Sequence, residues 1–413
     1  MGKYTIYSGR VDAYIEKEYL QKIIASFKQD IGENLIAIIL FGGFGKGEGS
    51  VEVIKGKPIP YNDFDFYVVT REKLGDEMLD SISHRASATI DRGGQEIAHH
   101  PEQGYDSKKF FHVDVRSLPL DMLPNLMKTQ RYYELKNRSI VIFGDTTVLD
   151  RIPMIKPDEI PLSEGLRNLF NKLHTMLLGL QPSYSDDQRK IKIFWSYKTY
   201  LAICESLLLL NRRFAPSAFE RDELFSEVYR KEFPVLYTRN PSLAKKVDKA
   251  TLFKLKLDFS ADHDLLWHEA TKDILEIFHF FIEKMTGEED IVKAIYEKLP
   301  YTYFKPYLEQ KIGWNFFPSQ YLLNLGYVGV LKKSEGLYLK PLLHWKDVGL
   351  RMILPIYYLL KHTLEKDEQK KQEYLDKAYH ELKQFIAVEK KEFWHLRERA
   401  LKAYGLYYQQ RLL

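Results

Sequence analysis

Residues Leu35 to Thr70 constrain this chain more than any other stretch: LIAIILFGGFGKGEGS, then VEVIKGKPIPY, then NDFDFYVVT. An unbroken apolar run, Leu35 to Phe41, has strand character and passes directly into glycines. A chain does this where its backbone must turn tightly and approach a phosphate closely. The strand that follows carries Asp63 and Asp65. Side chains alternate along a strand, so the two carboxylates share a face, about 7 Å apart at Cα, while Phe64 and Phe66 turn into the core. Like charges so placed do little for stability. As oxygen ligands they suit Mg²⁺, which keeps waters and substrate phosphates in its shell.

A third strand-like alternation, FFHVDVRSL from Phe110 to Leu118, sets Phe111, Val113 and Val115 on one face and His112, Asp114 and Arg116 on the other. Asp114 is the natural partner of Asp63 and Asp65. Gly42-Gly43 followed by Lys46-Gly47, then Asp-x-Asp on a strand, then a lone Asp on a later strand, is an order of motifs that resembles the nucleotidyltransferases of the DNA polymerase β superfamily. The resemblance covers residues 1–150 and includes IVIFGD, Ile140 to Asp145, similar to the strand and Gly-Asp turn that follow the third carboxylate there.

The resemblance implies transfer of an NMP from an NTP, ATP in the first instance, to a hydroxyl acceptor. Mg²⁺ or Mn²⁺ would be held by Asp63, Asp65 and Asp114. The first two would bind both ions of a two-metal site, and Asp114 would complete the ion nearest the attacking hydroxyl and assist its deprotonation. Backbone amides of Gly42 and Gly43 would hold the triphosphate, Lys46 would contact phosphate, and His112 and Arg116 would contact substrate. The family usually carries serine where this chain has Gly43, and its gap to the first aspartate is shorter; a hairpin at Lys55-Gly56-Lys57 fills the difference. The acceptor reads as a small molecule or a protein. A degenerate member that binds nucleotide or a partner, an antitoxin-like enzyme and an RNA-modifying enzyme are the alternatives. The plainest reading of the same residues is a glycine-rich hairpin beside solvated acids on an edge strand.

At 413 residues the chain can hold two or three domains with substantial cores. Its formal charge of +4, against 61 basic and 57 acidic residues, implies no field dedicated to nucleic acid. One cysteine, Cys204, excludes an internal disulfide and a cysteine-based zinc site, and its apolar neighbours Leu201, Ala202 and Leu207 predict a buried, inert thiol. The N-terminus MGKYTIYSGR has no apolar signal region, and the longest apolar candidate for a membrane span, Met352 to Leu360, is short and holds Pro355. These features predict a cytoplasmic protein without membrane contact. The 28 tyrosines and 24 phenylalanines are expected mainly as core and packing residues.

The predicted class is α+β: a mixed sheet with helices over 1–150, a helical bundle over 151–286, and a mainly helical region over 287–413. Val11 to Gln29 and Glu72 to Ile90 read as helices, with a polar loop over 91–109 whose His99, His100 and Glu102 lack a metal-ligand spacing. Pro153, Pro157 and Pro161 mark a linker. Ser163 is expected to cap the next helix, and Ser217 with Glu220 forms a capping-box pattern. The acids Asp258, Asp262 and Asp264 read as a helix start, and Arg167 with His174 is only loosely like a ribonuclease pattern. Gly326, Gly329 and Gly336 predict a small hairpin. Lys390, Lys391, Arg397, Arg399 and Lys402 leave a face for RNA open.

Overall fold

The computed structural model describes residues 2–7, 9–55, 57–61, 63–90, 113–299, 316–344 and 348–408, with backbone alone at 316–320 and 408. The class is α+β, with a mixed sheet and helices followed by a mainly helical region. Two compact units form. One comprises Met1–Pro161, Tyr184–Ile191 and Asn211–Ala261; the other comprises Leu162–Ser183, Lys192–Leu210 and Asp262–Leu413. These units do not follow the expected segments 1–150, 151–286 and 287–413. Helices of 211–261 gather with the sheet because Arg221 and Lys254 find their carboxylate partners there, and 262–286 gathers with the C-terminal helices.

In the first unit, β1 (Leu35–Phe41) leads through the glycine turn to a two-stranded hairpin, β2 (Val51–Ile54) and β3 (Lys57–Pro60). Then come β4 (Phe64–Thr70), β5 (Val113–Pro119) and β6 (Ile140–Gly144). The four-stranded sheet has the order β5-β4-β1-β6, parallel between β4 and β5 and antiparallel elsewhere. As an inner strand covered on both faces, β1 is apolar throughout, and Ala37 to Leu40 have no exposed surface. Ile38, Leu40, Phe64, Phe66, Val113 and Val115 share one core with Leu20, Ile23 and Phe27 of the N-terminal helical run. Ala37, Ile39, Tyr67, Val69 and Leu118 share the other with Leu123, Leu135 and Val148. The Asp76–Thr89 helix fastens the start of β5: Ser83 Oγ donates to the Val113 carbonyl at 2.5 Å, and Ser87 Oγ accepts from the Val113 amide at 3.1 Å.

The second unit is helical. Arg397, one of the basic residues that leave a face for RNA open, is buried and donates to the carbonyls of Leu177 and Leu178, satisfying the end of the Leu162–Leu178 helix. Arg399 pairs with Glu335 at 2.7 Å, Lys402 pairs with the same carboxylate, and Lys391 pairs with Asp376, so that basic set is largely committed to internal pairing. Gly326 and Gly329 lie inside a helix, Phe316–Ser334, and not in a hairpin. Leu323, Tyr327, Val328 and Leu331 recur at helical spacing on its buried face, and that burial outweighs the glycines. Ser163 lies within its helix and not before it. The Asp186–Leu210 helix is long and apolar enough to cross a membrane, contrary to the expectation that no run is; 67% of its apolar window is buried inside the protein. Cys204 is buried, as expected.

Candidate active site

Register decides where the acids fall. Asp65 of β4 is the register partner of Asp114 of the parallel β5, and of Phe41, the last residue of β1. Register partners in a sheet point to the same side, so the two carboxylates stand side by side at the end where β1 runs into the glycines. Their flanking residues Phe64, Phe66, Val113 and Val115 are buried on the opposite face. Asp63 lies just before β4, outside the sheet ladder. Among the described residues, no three His, Cys, Asp or Glu side chains are grouped as a metal site. The structure thus brings Asp65 and Asp114 together and does not gather Asp63 with them.

The glycines differ in what they require. Gly42 has φ +63°, and a Cβ there would overlap the Asp65 carboxylate, so the turn and the acid approach each other as only glycine permits. At Gly43 a Cβ would meet nothing closer than the Glu48 carbonyl at 3.4 Å, an ordinary contact. The turn is closed by its own backbone: the Lys46 amide donates to the Gly42 carbonyl at 3.2 Å and the Glu48 amide to Gly43 at 2.9 Å.

Cations stand beside the acids. Arg116 pairs with Asp114 at 3.3 Å. Arg131, from the Gln130–Asn137 helix, hydrogen-bonds Tyr67; burial would lower its pKa, but Tyr67, Asp65 and Asp114 outweigh burial and raise it. Burial pushes the Tyr67 hydroxyl up to about 12. Neither Arg131 nor its helix carries a sequence signal beyond an ordinary polar helix start. His112 and the His99, His100 and Glu102 cluster lie outside the described residues.

Lys46 is placed away from the role expected for it. Its side chain is 7% exposed and pairs with Glu134 at 2.7 Å, and Arg221 pairs with the same carboxylate at 2.7 Å. Burial works to raise the Glu134 carboxyl, but the two cations outweigh it and hold it low. Two residues on, Glu48 accepts from the Ala218 and Phe219 amides and from Lys254 at 2.6 Å. Burial would raise Glu48 also, yet Lys254, the Phe219 amide and Arg221 hold it at about 2. Ser50 Oγ donates to the Lys254 carbonyl at 2.6 Å. The predicted capping box is present, with Ser217 and Glu220 bonded reciprocally at the start of the Ala218–Glu232 helix. A cavity of about 730 Å³, lined in part by Gly45, Lys46, Glu48, Arg138 and Glu220, opens beside the turn; that volume is in the range of small-molecule sites.

In the second unit Arg167 is paired with Glu164 at 2.8 Å and His174 is stacked on Tyr404, its centroid 4.3 Å away. Burial, with Arg397 and Lys172 nearby, lowers the His174 imidazole to about 4. Asp262 caps the His263–Thr286 helix, the capping role expected there, while Asp264 pairs with Lys192.

No family model matches the chain, and no curated protein matches it. Several solved structures do, among them the crystal structure of spectinomycin adenyltransferase AAD(9) from Enterococcus faecialis with ATP and spectinomycin, which is 14% identical. The match covers 62% of this chain and 97% of that one, with a TM-score of 0.35.

Proposed function

We propose that this protein is a nucleotidyltransferase that moves an NMP from an NTP, ATP in the first instance, to the hydroxyl of a small molecule or protein. The observation that carries the reading is the in-register pairing of Asp65 with Asp114 at the end of the sheet where Asp65 meets the Gly42 turn. Two hard oxygen donors side by side fit Mg²⁺ or Mn²⁺, ions that take one or two protein carboxylates and complete their shell with water and phosphate. Asp65 and Asp114 would hold the ion; when bound, it supplies charge neutralisation on the α-phosphate and on the departing pyrophosphate. The Gly42 and Gly43 amides hold the triphosphate. The acceptor oxygen attacks the α-phosphorus, the bond to pyrophosphate breaks, and the hydroxyl proton passes to Asp114.

A second reading, a nucleotide binder without turnover, is favoured by one set of facts: Arg116 and Arg131 already face the acids, and Gly43 has no hydroxyl. Pyrophosphate release from each NTP with Mg²⁺ and pooled acceptors, read with the acceptor's mass shift, separates the two. Transfer is expected in the wild type and about 10²–10³-fold less in Asp114→Asn. Nucleotide binding without pyrophosphate release would establish the second reading.

A further inference from the structure

We infer that Asp12 is a positioning residue for the glycine turn, acting through residues 2–5, which it grips and which in turn hold the Gly47–Gly49 end of the turn. The inference rests on the phosphate-binding reading of the turn and adds to it a side chain from well before the turn in the chain. A carboxylate taken out of water is costly unless its oxygens find donors. Asp12, in the Gly9–Ile15 helix, is 6% exposed. Its oxygens accept from the amides of Lys3, of Tyr4 at 3.2 Å and of Thr5 at 3.1 Å, and from Thr5 Oγ at 2.9 Å. Bonds to an ionised acceptor are the stronger kind, so one side chain fixes three consecutive amides. A Cβ at Gly2 would overlap the same carboxylate, an approach that glycine alone allows.

The gripped segment lies against the turn. The Gly49 amide donates to the Tyr4 carbonyl at 2.9 Å, and the Glu48 amide beside it closes the turn on the Gly43 carbonyl. At Gly47, with φ +78°, a Cβ would stand 3.3 Å from the Gly2 carbonyl. A Cβ at Gly49 would overlap the ring of Phe44, which belongs to the turn itself. The Phe44 ring centroid lies 4.4 Å from that of Phe64, the residue before Asp65. Tyr4, Phe44 and Phe64 are buried in one core. Close-packed groups transmit displacement, so a shift of residues 3–5 moves Gly49 and is met at Phe44. The Tyr4 ring by itself would keep the segment in the core. What the carboxylate adds is a fixed backbone at residues 3–5, and with it a fixed Tyr4 carbonyl. Amides that receive a triphosphate bind it best when held in place before it arrives.

The test is calorimetric titration of inorganic tripolyphosphate and of MgATP into full-length wild type, Asp12→Asn and Thr5→Val, with urea unfolding to set a temperature at which each is folded. Asp12→Asn keeps the shape of the side chain and removes its charge, and it is expected to bind both probes about tenfold more weakly. Thr5→Val removes one donor of the four and is expected to bind about two- to threefold more weakly. Amide exchange at Gly49 should quicken in both variants while the amides of β1 stay protected. A carboxylate that only fastened residues 2–5 would lower the urea midpoint of Asp12→Asn and leave the affinity of the folded variant at the wild-type value. That result would overturn the inference, as would an unchanged Gly49 exchange rate. Should Asp12→Asn fail to fold, Thr5→Val decides: wild-type affinity there also overturns it. Wild type that binds both probes with the variants equal removes this inference alone; wild type that binds neither removes the phosphate reading of the turn as well.

Discussion

The two ends of the glycine turn use acidic residues in opposite ways. In front, Asp65 and Asp114 are half-buried at the end of a sheet, aligned by strand register beside Arg116 and Arg131. Behind, Glu48 and Glu134 are buried, each locked by at least one ammonium or guanidinium within 2.7 Å. The front pair is placed by the register of two parallel strands and is only partly buried. The back pair is placed by residues distant in the chain and is consumed by structure. Protein cations stand beside both pairs, at 3.3 Å from Asp114 in front and within 2.7 Å of Glu48 and Glu134 behind.

The comparison is sharpened most by removing one acid from each side. Glu134→Ala leaves Lys46 and Arg221 buried without their counterion and is expected to destabilise the protein by ~3–5 kcal/mol. Asp65→Asn should leave stability within about 0.5 kcal/mol, or raise it slightly through relief of like-charge repulsion. Urea unfolding of both variants reads the contrast. A loss in Asp65→Asn comparable to that in Glu134→Ala would mean that the front acid is a structural partner of Arg131 instead.

Acid should act on the back of the turn. The folded-state value of Glu48, about 2, lies below its ordinary 4.5, so the folded form binds fewer protons than the unfolded form. The stability it confers is full above about pH 4.5 and is lost as pH falls from there toward 2, on the order of 3 kcal/mol in all. Glu48→Gln is expected to flatten that part of the stability profile. An unchanged acid limb in the variant would place the pH-sensitive group elsewhere.

The smallest effect falls on the turn itself. Gly43→Ser is sterically accommodated and is expected to tighten NTP binding by about 0.5–1.5 kcal/mol, the worth of one added hydrogen bond. Gly42→Ser, at positive φ and against the Asp65 carboxylate, should weaken binding and lower stability together. Calorimetry on the pair would upset this account if Gly42 proved the tolerant position.

Much of the fold's first unit was legible because its signals are local. The apolar run of β1, the alternations of β4 and β5, the hairpin at Lys55 and the Ser217–Glu220 capping box each need only near neighbours in sequence, and each is present. Alternation sets Asp65 and Asp114 opposite their buried neighbours, while their alignment comes from the parallel register of β4 and β5. The grouping of 211–261 with the sheet was not legible, since Arg221 and Lys254 look like any surface cations on amphipathic helices. Lys46 was misplaced for the same reason: a lysine after a glycine turn reads as a phosphate contact until Glu134, 88 residues later, is seen to hold it.

Taken alone, the amino-acid sequence determined the strands, the face on which each acid points, and the need for glycine where the chain turns, because alternation and backbone sterics act over a few residues. Only the tertiary structure decided which charges meet. Asp63 precedes the ladder that aligns Asp65 with Asp114, and the three are not grouped as a metal site among the described residues. Lys46, Glu48, Glu134, Arg221 and Lys254 form one network because burial makes an unpaired charge costly and long-range packing supplies the partner, a pairing that no local pattern encodes.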